Sequence, residues 1–311
     1  MPLPILIDTD MGVDDAIAIT LALLSERLRV EAIVSVGGNV PLLQATRNVG
    51  RMLRALRTDP LPRVGVGLDQ HDEGLTDARH VFGKDGLGET SWPGLERLEP
   101  VPCSHAYRDA IEDNRRELTV VCIGPLTNLA EVWRHSPGLL RQVKRIVIMG
   151  GAIWCKGNVR GIAEFNFHRD PAAADLLLGA ELPITLVPLD LTQFLQMDES
   201  HVARLAACDH PAAQFLASVL DWPIRHGAGD SPPGRFIVHD AAAIGCLLWP
   251  ELFLSAQVAV RVCSEGPNRG QCQPLPRRDQ TRKPVSVLTS VDAMDLLENM
   301  LEVLCSQRFV V

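Results

Sequence analysis

Apolar and polar positions alternate along this chain in long, regular blocks. Short runs rich in Val, Ile and Leu recur at residues 5–7, 32–36, 64–66, 118–123, 145–149 and 184–189. Stretches with helical periodicity lie between most of them, among them 16–24 and 171–178. In the second of these, Asp170 stands at the N-cap position and Pro171 at the first helical position. Near-continuous apolar strands alternating with helices imply a parallel sheet covered on both faces. The expected fold class is therefore α/β: an open, doubly wound, mostly parallel sheet of Rossmann-like kind. No long flexible linker divides the chain, so residues 1–311 read as a single domain. Residues 70–93 and 221–235 read as loops, of the length that serves as lids or binding loops. The basic stretch 277–283 reads as a solvated loop. In such a sheet ligands bind outside the carboxyl ends of the strands. Polar clusters that directly follow an apolar run are thus the places to look.

Composition narrows the partners. A hydrophobic share of 46% with 22% charged residues fits a globular protein with a sizeable core. A net charge of −8 argues against a nucleic-acid backbone or an anionic membrane, both of which need a basic face. It leaves an anionic small molecule open. The longest apolar run, around residues 16–24, is too short to span a bilayer. The eight cysteines are scattered, with no C-x-x-C pair and no histidines at zinc spacing. Met1 runs straight into Pro4-Ile5-Leu6-Ile7, without a basic start or a small-residue cleavage site. A cytoplasmic protein with reduced thiols is expected.

The first apolar run ends in "DTDMGVDDAIAI", which sets Asp8, Asp10, Asp14 and Asp15 close together, with Gly12 free to make a tight turn. A helix beginning near Asp14 favours carboxylates at its positive end. Four carboxylates this close repel one another, and a cation relieves the repulsion. Oxygen ligands select Ca²⁺ or Mg²⁺ rather than zinc. The plainer reading is a solvated acidic helix start. An EF-hand loop does not fit, since Ile19 stands where its twelfth-position Glu is required. A phosphatase of the haloacid-dehalogenase type fits in part. Its strand and D-x-D match, but Gly12 replaces the expected Thr or Val. Glycine-rich phosphate loops and a G-x-S-x-G elbow do not occur.

"DTDMGVDDA" resembles the signature of the inosine-uridine-type nucleoside hydrolases. "VGGN" with Asn39, "IGPLTNLA" at 123–130, "MGG" at 149–151, "GNVRGIAEFNFHRDP" at 157–171 and "VHDAAA" with His239 and Asp240 resemble that family in the same order. The resemblance spans essentially the whole chain. It implies hydrolysis of the N-glycosidic bond of ribonucleosides by a Ca²⁺-bound water. The implied metal ligands are Asp10, Asp15, Asp240 and the main-chain carbonyl of Ile123. Asp10 is the implied general base, and Asp14, Asn39, Asn158, Glu164 and Asn166 the implied holders of the ribose hydroxyls. It also implies a homodimer or homotetramer.

Each residue has a plainer alternative. Asn39 and Asn158 neighbour glycines, as turn residues do. Glu164 and Asn166 flank Phe165 as in a short extended segment, and Asp240 is placed to cap a helix. Asp190 matches no implied ligand and reads as structural. Members of the family often carry a histidine in a context like "HGKDGLG". Here the loop reads "HVFGKDGLG", and Phe82 takes that place, two residues after His80. A phenylalanine donates no proton but stacks on a base. His239 is then the matched imidazole, as the acid that protonates the leaving base or as a neutral contact to it. In the second loop Trp222, Arg225, His226 and Arg235 are candidates for base selection. Two rivals stand beside this reading: a Mg²⁺ phosphatase with Asp8 as nucleophile, and a calcium-dependent nucleoside or ribose binder without turnover.

Overall fold

The computed structural model describes residues 1–69, 77–227, 229, 231–232, 234–279 and 281–306. Its strands in chain order are β1 (Leu3–Thr9), β2 (Leu28–Ser35), β3 (Arg63–Val66), β4 (Val101–Pro102), β5 (Thr119–Cys122), β6 (Arg145–Met149) and β7 (Ile184–Val187). They continue with β8 (Gln196–Asp198), β9 (Arg235–Ile237), β10 (Phe253–Val258), β11 (Val260–Val262), β12 (Cys272–Pro274) and β13 (Val285–Val291). One nine-stranded sheet runs β10-β13-β7-β6-β5-β1-β2-β3-β4. Its pairings are parallel except that of β10 with β13. β8 pairs with β9, and β11 with β12, as small antiparallel ribbons.

Successive strand residues point to opposite faces, and the two cores follow that parity. Ile5, Ile7, Ile33, Val121 and Val147 join one core, and Leu6, Val34, Val120, Cys122 and Ile148 join the other. Both faces are covered, which is why the strands read as continuous apolar runs rather than alternating ones. The helix Val13–Leu24 is buried at every position but Leu23, as a helix that is apolar all round beyond its acidic first turn must be. It packs against the helices Pro211–His226, Ala241–Leu248 and Ala293–Leu304. The amphipathic helix Leu42–Ala55 buries Ala45, Val49, Met52 and Leu53 along one stripe.

β1 sits between β2 and β5. From there the chain builds outward in both directions, which makes the carboxyl ends of β1 and β5 the switch point where such sheets bind ligands. Two expectations need correction. The apolar stripe Phe215, Leu216, Val219, Leu220 and Ile224 carries the helix Pro211–His226 through Pro223, so the loop expected at 221–235 starts only after His226. Residues 228, 230 and 233 of it lie outside the described residues. In the loop expected at 70–93, residues 79–82 form a short helix, and 70–76 lie outside the described residues. The stretch 277–283 is a loop apart from residue 280, which lies outside them too.

The Asp170 cap is as expected. Its carboxylate accepts from Ala173 N at 3.0 Å and from Thr127 Oγ1 at 2.8 Å. Replacing Asp170 with Ala removes both bonds, and the free energy of urea unfolding should fall by about 1–2 kcal/mol. An unchanged midpoint would show that the cap contributes nothing.

Candidate active site

The turn after β1 carries the acidic cluster. Met11 lies in the left-handed region at φ 48°, a conformation that needs local support. Thr9 Oγ1 accepts from Met11 N at 3.1 Å, and Asn48 Nδ2 donates to Met11 O at 3.2 Å. Asp15, in the first turn of Val13–Leu24, reaches back to accept from Gly12 N at 2.8 Å and from Thr9 Oγ1 at 2.5 Å. Asp10 is clamped by Asn39, whose backbone N donates to Oδ2 at 2.7 Å and whose Nδ2 donates to Oδ1 at 2.9 Å. The same Nδ2 lies 3.1 Å from Asp15 Oδ2 and so ties the two carboxylates together. Asn39 is therefore a buried bridge and not merely a turn residue.

Asp14 accepts from the backbone N–H groups of His239 and Asp240 at 2.8 and 3.1 Å, which joins the start of Val13–Leu24 to the start of Ala241–Leu248. Its Oδ1 is buried without a partner. Asp240 holds the N-cap position of that helix but its side chain makes no capping bond, so the plain capping reading fails there. Burial raises the pKa of all four carboxylates, and for Asp10, Asp14 and Asp240 neighbouring carboxylates raise it further. Among the described residues no Lys or Arg pairs with any of them.

Glu164 and Asn166 are not in an extended segment. Glu164 caps the helix Phe165–Arg169, accepting from Asn166 N and Phe167 N, and also takes Gly151 N at 3.0 Å. Asn166 Nδ2 donates to the carbonyls of Ile123 and Met149, at the ends of β5 and β6. Asn158 lies in a tight turn closed by bridges from Gly157 to Gly161 and Val159 to Ala163, with a buried, unpartnered Oδ1.

These groups surround one cavity of about 390 Å³, a size suited to a small molecule. Asp14, Asn39, Ile123, Glu164, Asn166 and Asp240 line its polar side. Asp10 and Asp15 are not lining residues but are bonded to Asn39, which is. Val81, Phe82, Phe236 and Ile237 form an apolar end, where the Phe82 and Phe236 rings meet edge to face at 6.1 Å. His80 lines the cavity as well. His239 faces the cavity with Nδ1 held by Thr192 Oγ1 at 2.7 Å, and burial lowers its pKa to about 4.

Trp222, Arg225, His226 and Arg235 do not line the cavity. Trp222 stacks on His226, Arg225 pairs with Asp221, and Arg235 bonds Gln196. Phe236, which does line it, lies in no motif of the sequence, and His168 lies in the 157–171 motif without an assigned role. Phe236 was hidden on a three-residue strand, and His168 lies between two residues already explained as a helix.

A divalent cation can be tested against this donor set. Among the described residues, no three acidic, histidine or cysteine side chains converge closely enough to chelate an ion by themselves. The chemistry nevertheless fits. The donors are hard oxygens, Asp14 Oδ1 has no partner, Asp240 makes no cap, and the cluster's charge has no basic counterpart.

An acid-rich cavity at the switch point of a doubly wound sheet defines the site of an α/β enzyme that handles a hydroxyl-rich small molecule. The family described as inosine-uridine preferring nucleoside hydrolase matches residues 5–298. Pyrimidine-specific ribonucleoside hydrolases RihA from Citrobacter koseri and Escherichia coli K12 are each 35% identical to the chain, over 86% of both sequences. Among solved structures, the plant nucleoside hydrolase PpNRh1 superposes with a TM-score of 0.91 at 28% identity, covering 98% of this chain and 100% of that one. A purine-preferring ribonucleoside hydrolase from Gardnerella vaginalis gives 0.90 at 27% identity, covering 97% and 98%. The chain belongs to the inosine-uridine preferring nucleoside hydrolase family, and it is an N-ribohydrolase.

The phosphatase rival needed a free Asp8. Asp8 shares the face of Leu6 on β1 and points away from the cavity, where Tyr107 Oη donates to it at 2.7 Å and Asn128 Nδ2 at 3.1 Å. Burial holds its pKa up at about 7, against the lowering effect of both bonds. Asp8 is thus a structural carboxylate. Tyr107→Phe leaves it one donor short and should cost about 1–3 kcal/mol in urea unfolding. A cost near zero would mean that the bond contributes nothing to stability.

Proposed function

We propose that the chain cleaves the N-glycosidic bond of ribonucleosides with water at this carboxylate cluster, aided by Ca²⁺ held by Asp10, Asp15, Asp240 and the carbonyl of Ile123. The observation that carries the reading is the buried, uncompensated acidic cluster beside a cavity lined by amides and carboxylates. When bound, the cation supplies charge neutralisation and Lewis-acid activation of water, with coordination room for ribose hydroxyls. Asp10, fixed by the two donors of Asn39, accepts the proton of the attacking water. The C1′–N bond breaks as the sugar becomes oxocarbenium-like, beside carboxylates that favour positive charge. Asp14, Asn39, Asn158, Glu164 and Asn166 hold the ribose hydroxyls, and Asn158 Oδ1 and Asp14 Oδ1 are the acceptors still free to do so.

Phe82 and Phe236 receive the flat face of the base, and His239 presents Nε2 to its edge, since Thr192 occupies Nδ1. A pyrimidine is the favoured base. The relatives named pyrimidine-specific share 35% identity with the chain, against 27% for the structure named purine-preferring. A cytoplasmic homodimer or homotetramer is part of the same proposal. Among the described residues no helix is long and apolar enough to cross a membrane.

Asp10→Ala should lower ribose release from uridine by about 10²–10⁴-fold, and a calcium chelator should abolish wild-type release with restoration by added Ca²⁺. Tight uridine binding without any release would instead make the protein a binder. On 2′-deoxyuridine, kcat/KM should fall roughly 10- to 100-fold, the equivalent of one lost charge-assisted contact. Equal rates on the two sugars would remove the hydroxyl-gripping site from the mechanism.

A further inference from the structure

The cavity has a third region that hydrolysis of a neutral nucleoside leaves unused. Arg160, an exposed residue, and His168 line it together with Asn158 and Phe165. Arg160 lies in the left-handed region at φ 54°, in the turn closed by the Gly157–Gly161 bridge. It makes no ion pair among the described residues. Arg169, next to His168 in the chain and not part of the lining, is buried with its Nε unpartnered. Arg269 fixes the segment by donating to the carbonyls of His168 and Arg169 at 3.0 and 3.2 Å. Besides burial, the guanidinium groups of Arg269, Arg160 and Arg169 all depress the pKa of His168, so they lie close enough to share one field. A buried cation with an unfilled donor is costly unless an anion compensates it.

The cavity lining thus combines carboxylates and amides, the aromatic pair Phe82 and Phe236, and the basic residues Arg160 and His168. Resting on the nucleoside hydrolase reading, ribose against the carboxylates and base against Phe82 leave Asn158, Arg160 and His168 as the lining residues available to the sugar's remaining substituent, C5′. We propose that this basic part of the lining accepts a 5′-phosphate, and that ribonucleoside 5′-monophosphates are substrates, with Arg160 as the residue that selects them. Water adds to C1′ and the C1′–N bond breaks with its electron pair leaving on the base. One water proton ends on the base nitrogen, and the products are free base and ribose 5-phosphate. Guanidinium groups suit a phosphate through paired charge-assisted hydrogen bonds, and the overall charge of −8 confines such binding to a local basic site.

The test uses the full-length protein in calcium-containing buffer, with the four common ribonucleosides, their 5′-monophosphates, and a riboside carrying a carboxylate on the base. Variants are Arg160→Asn, which tolerates the left-handed backbone, and Arg160→Lys. The expected result is release of base from at least one monophosphate. The ratio of kcat/KM for that monophosphate over its nucleoside should fall roughly tenfold or more in Arg160→Asn, through KM, and recover in part in Arg160→Lys. Cleavage of nucleosides with none of the monophosphates overturns the proposal and leaves the hydrolase reading intact. A ratio that Arg160→Asn does not move overturns it as well. So does an Arg160 dependence seen only with the base-linked carboxylate, which would place the anion on the base. No cleavage of any riboside sinks the hydrolase reading and this inference together.

Discussion

Everything at the site depends on keeping several carboxylates buried beside one another at the end of the central strand. Burial and mutual repulsion both disfavour their charge, so the fold surrounds them with N–H groups. Asn39 bridges Asp10 and Asp15, Gly12 and Thr9 tie Asp15 to the turn, and the backbone of His239 and Asp240 holds Asp14. Close approach is part of the same arrangement. A Cβ at Gly38 would stand 2.1 Å from Asp10 Oδ2, so the loop after β2 can cross the cluster only as bare backbone. The left-handed Met11 is the backbone cost of turning that sharply. The turn after β1, the loop after β2 and the starts of Val13–Leu24 and Ala241–Leu248 are thus tied to one another through these carboxylates.

Parity along β1 divides its acidic residues by task. Asp8 follows Leu6 to the face of Tyr107 and Asn128 and becomes a structural group linking β1 to the helices covering that face. Asp10 lies beyond the strand, where the chain turns toward the ligand side. Two carboxylates two residues apart thus have separate roles, because one still belongs to the pleated strand and the other has left it.

Much of this was legible in the sequence. Continuous apolar runs gave the parallel sheet, and the four-carboxylate turn gave its site, because burial on both faces and local charge density leave marks in single segments. Short edge and ribbon strands left none: β4, β8, β9 and β12 are two or three residues long. The extent of Pro211–His226 was obscured by Pro223, whose helix-breaking tendency is overridden by the buried stripe on either side. Glu164 and Asn166 looked extended because a two-residue alternation cannot be told from an N-cap and its second residue. What no single segment could show is which side chains share the cavity. Phe236 reaches Phe82, and Arg160 shares the cavity lining with His168, only through the tertiary arrangement.

The segment from Asn158 to Asp170 owes its precision to backbone capping rather than to packing alone. Glu164 caps one short helix and Asp170 the next, and Glu164 also ties Gly151 at the end of β6. Asn166 then anchors the segment to the carbonyls of Ile123 and Met149. A loop fixed at four points to two central strands and two helix starts presents its side chains with little freedom to lose on binding. The polar and basic residues it carries are therefore held at a fixed distance from the carboxylates after β1, a spacing set by side-chain to main-chain hydrogen bonds rather than by the apolar core.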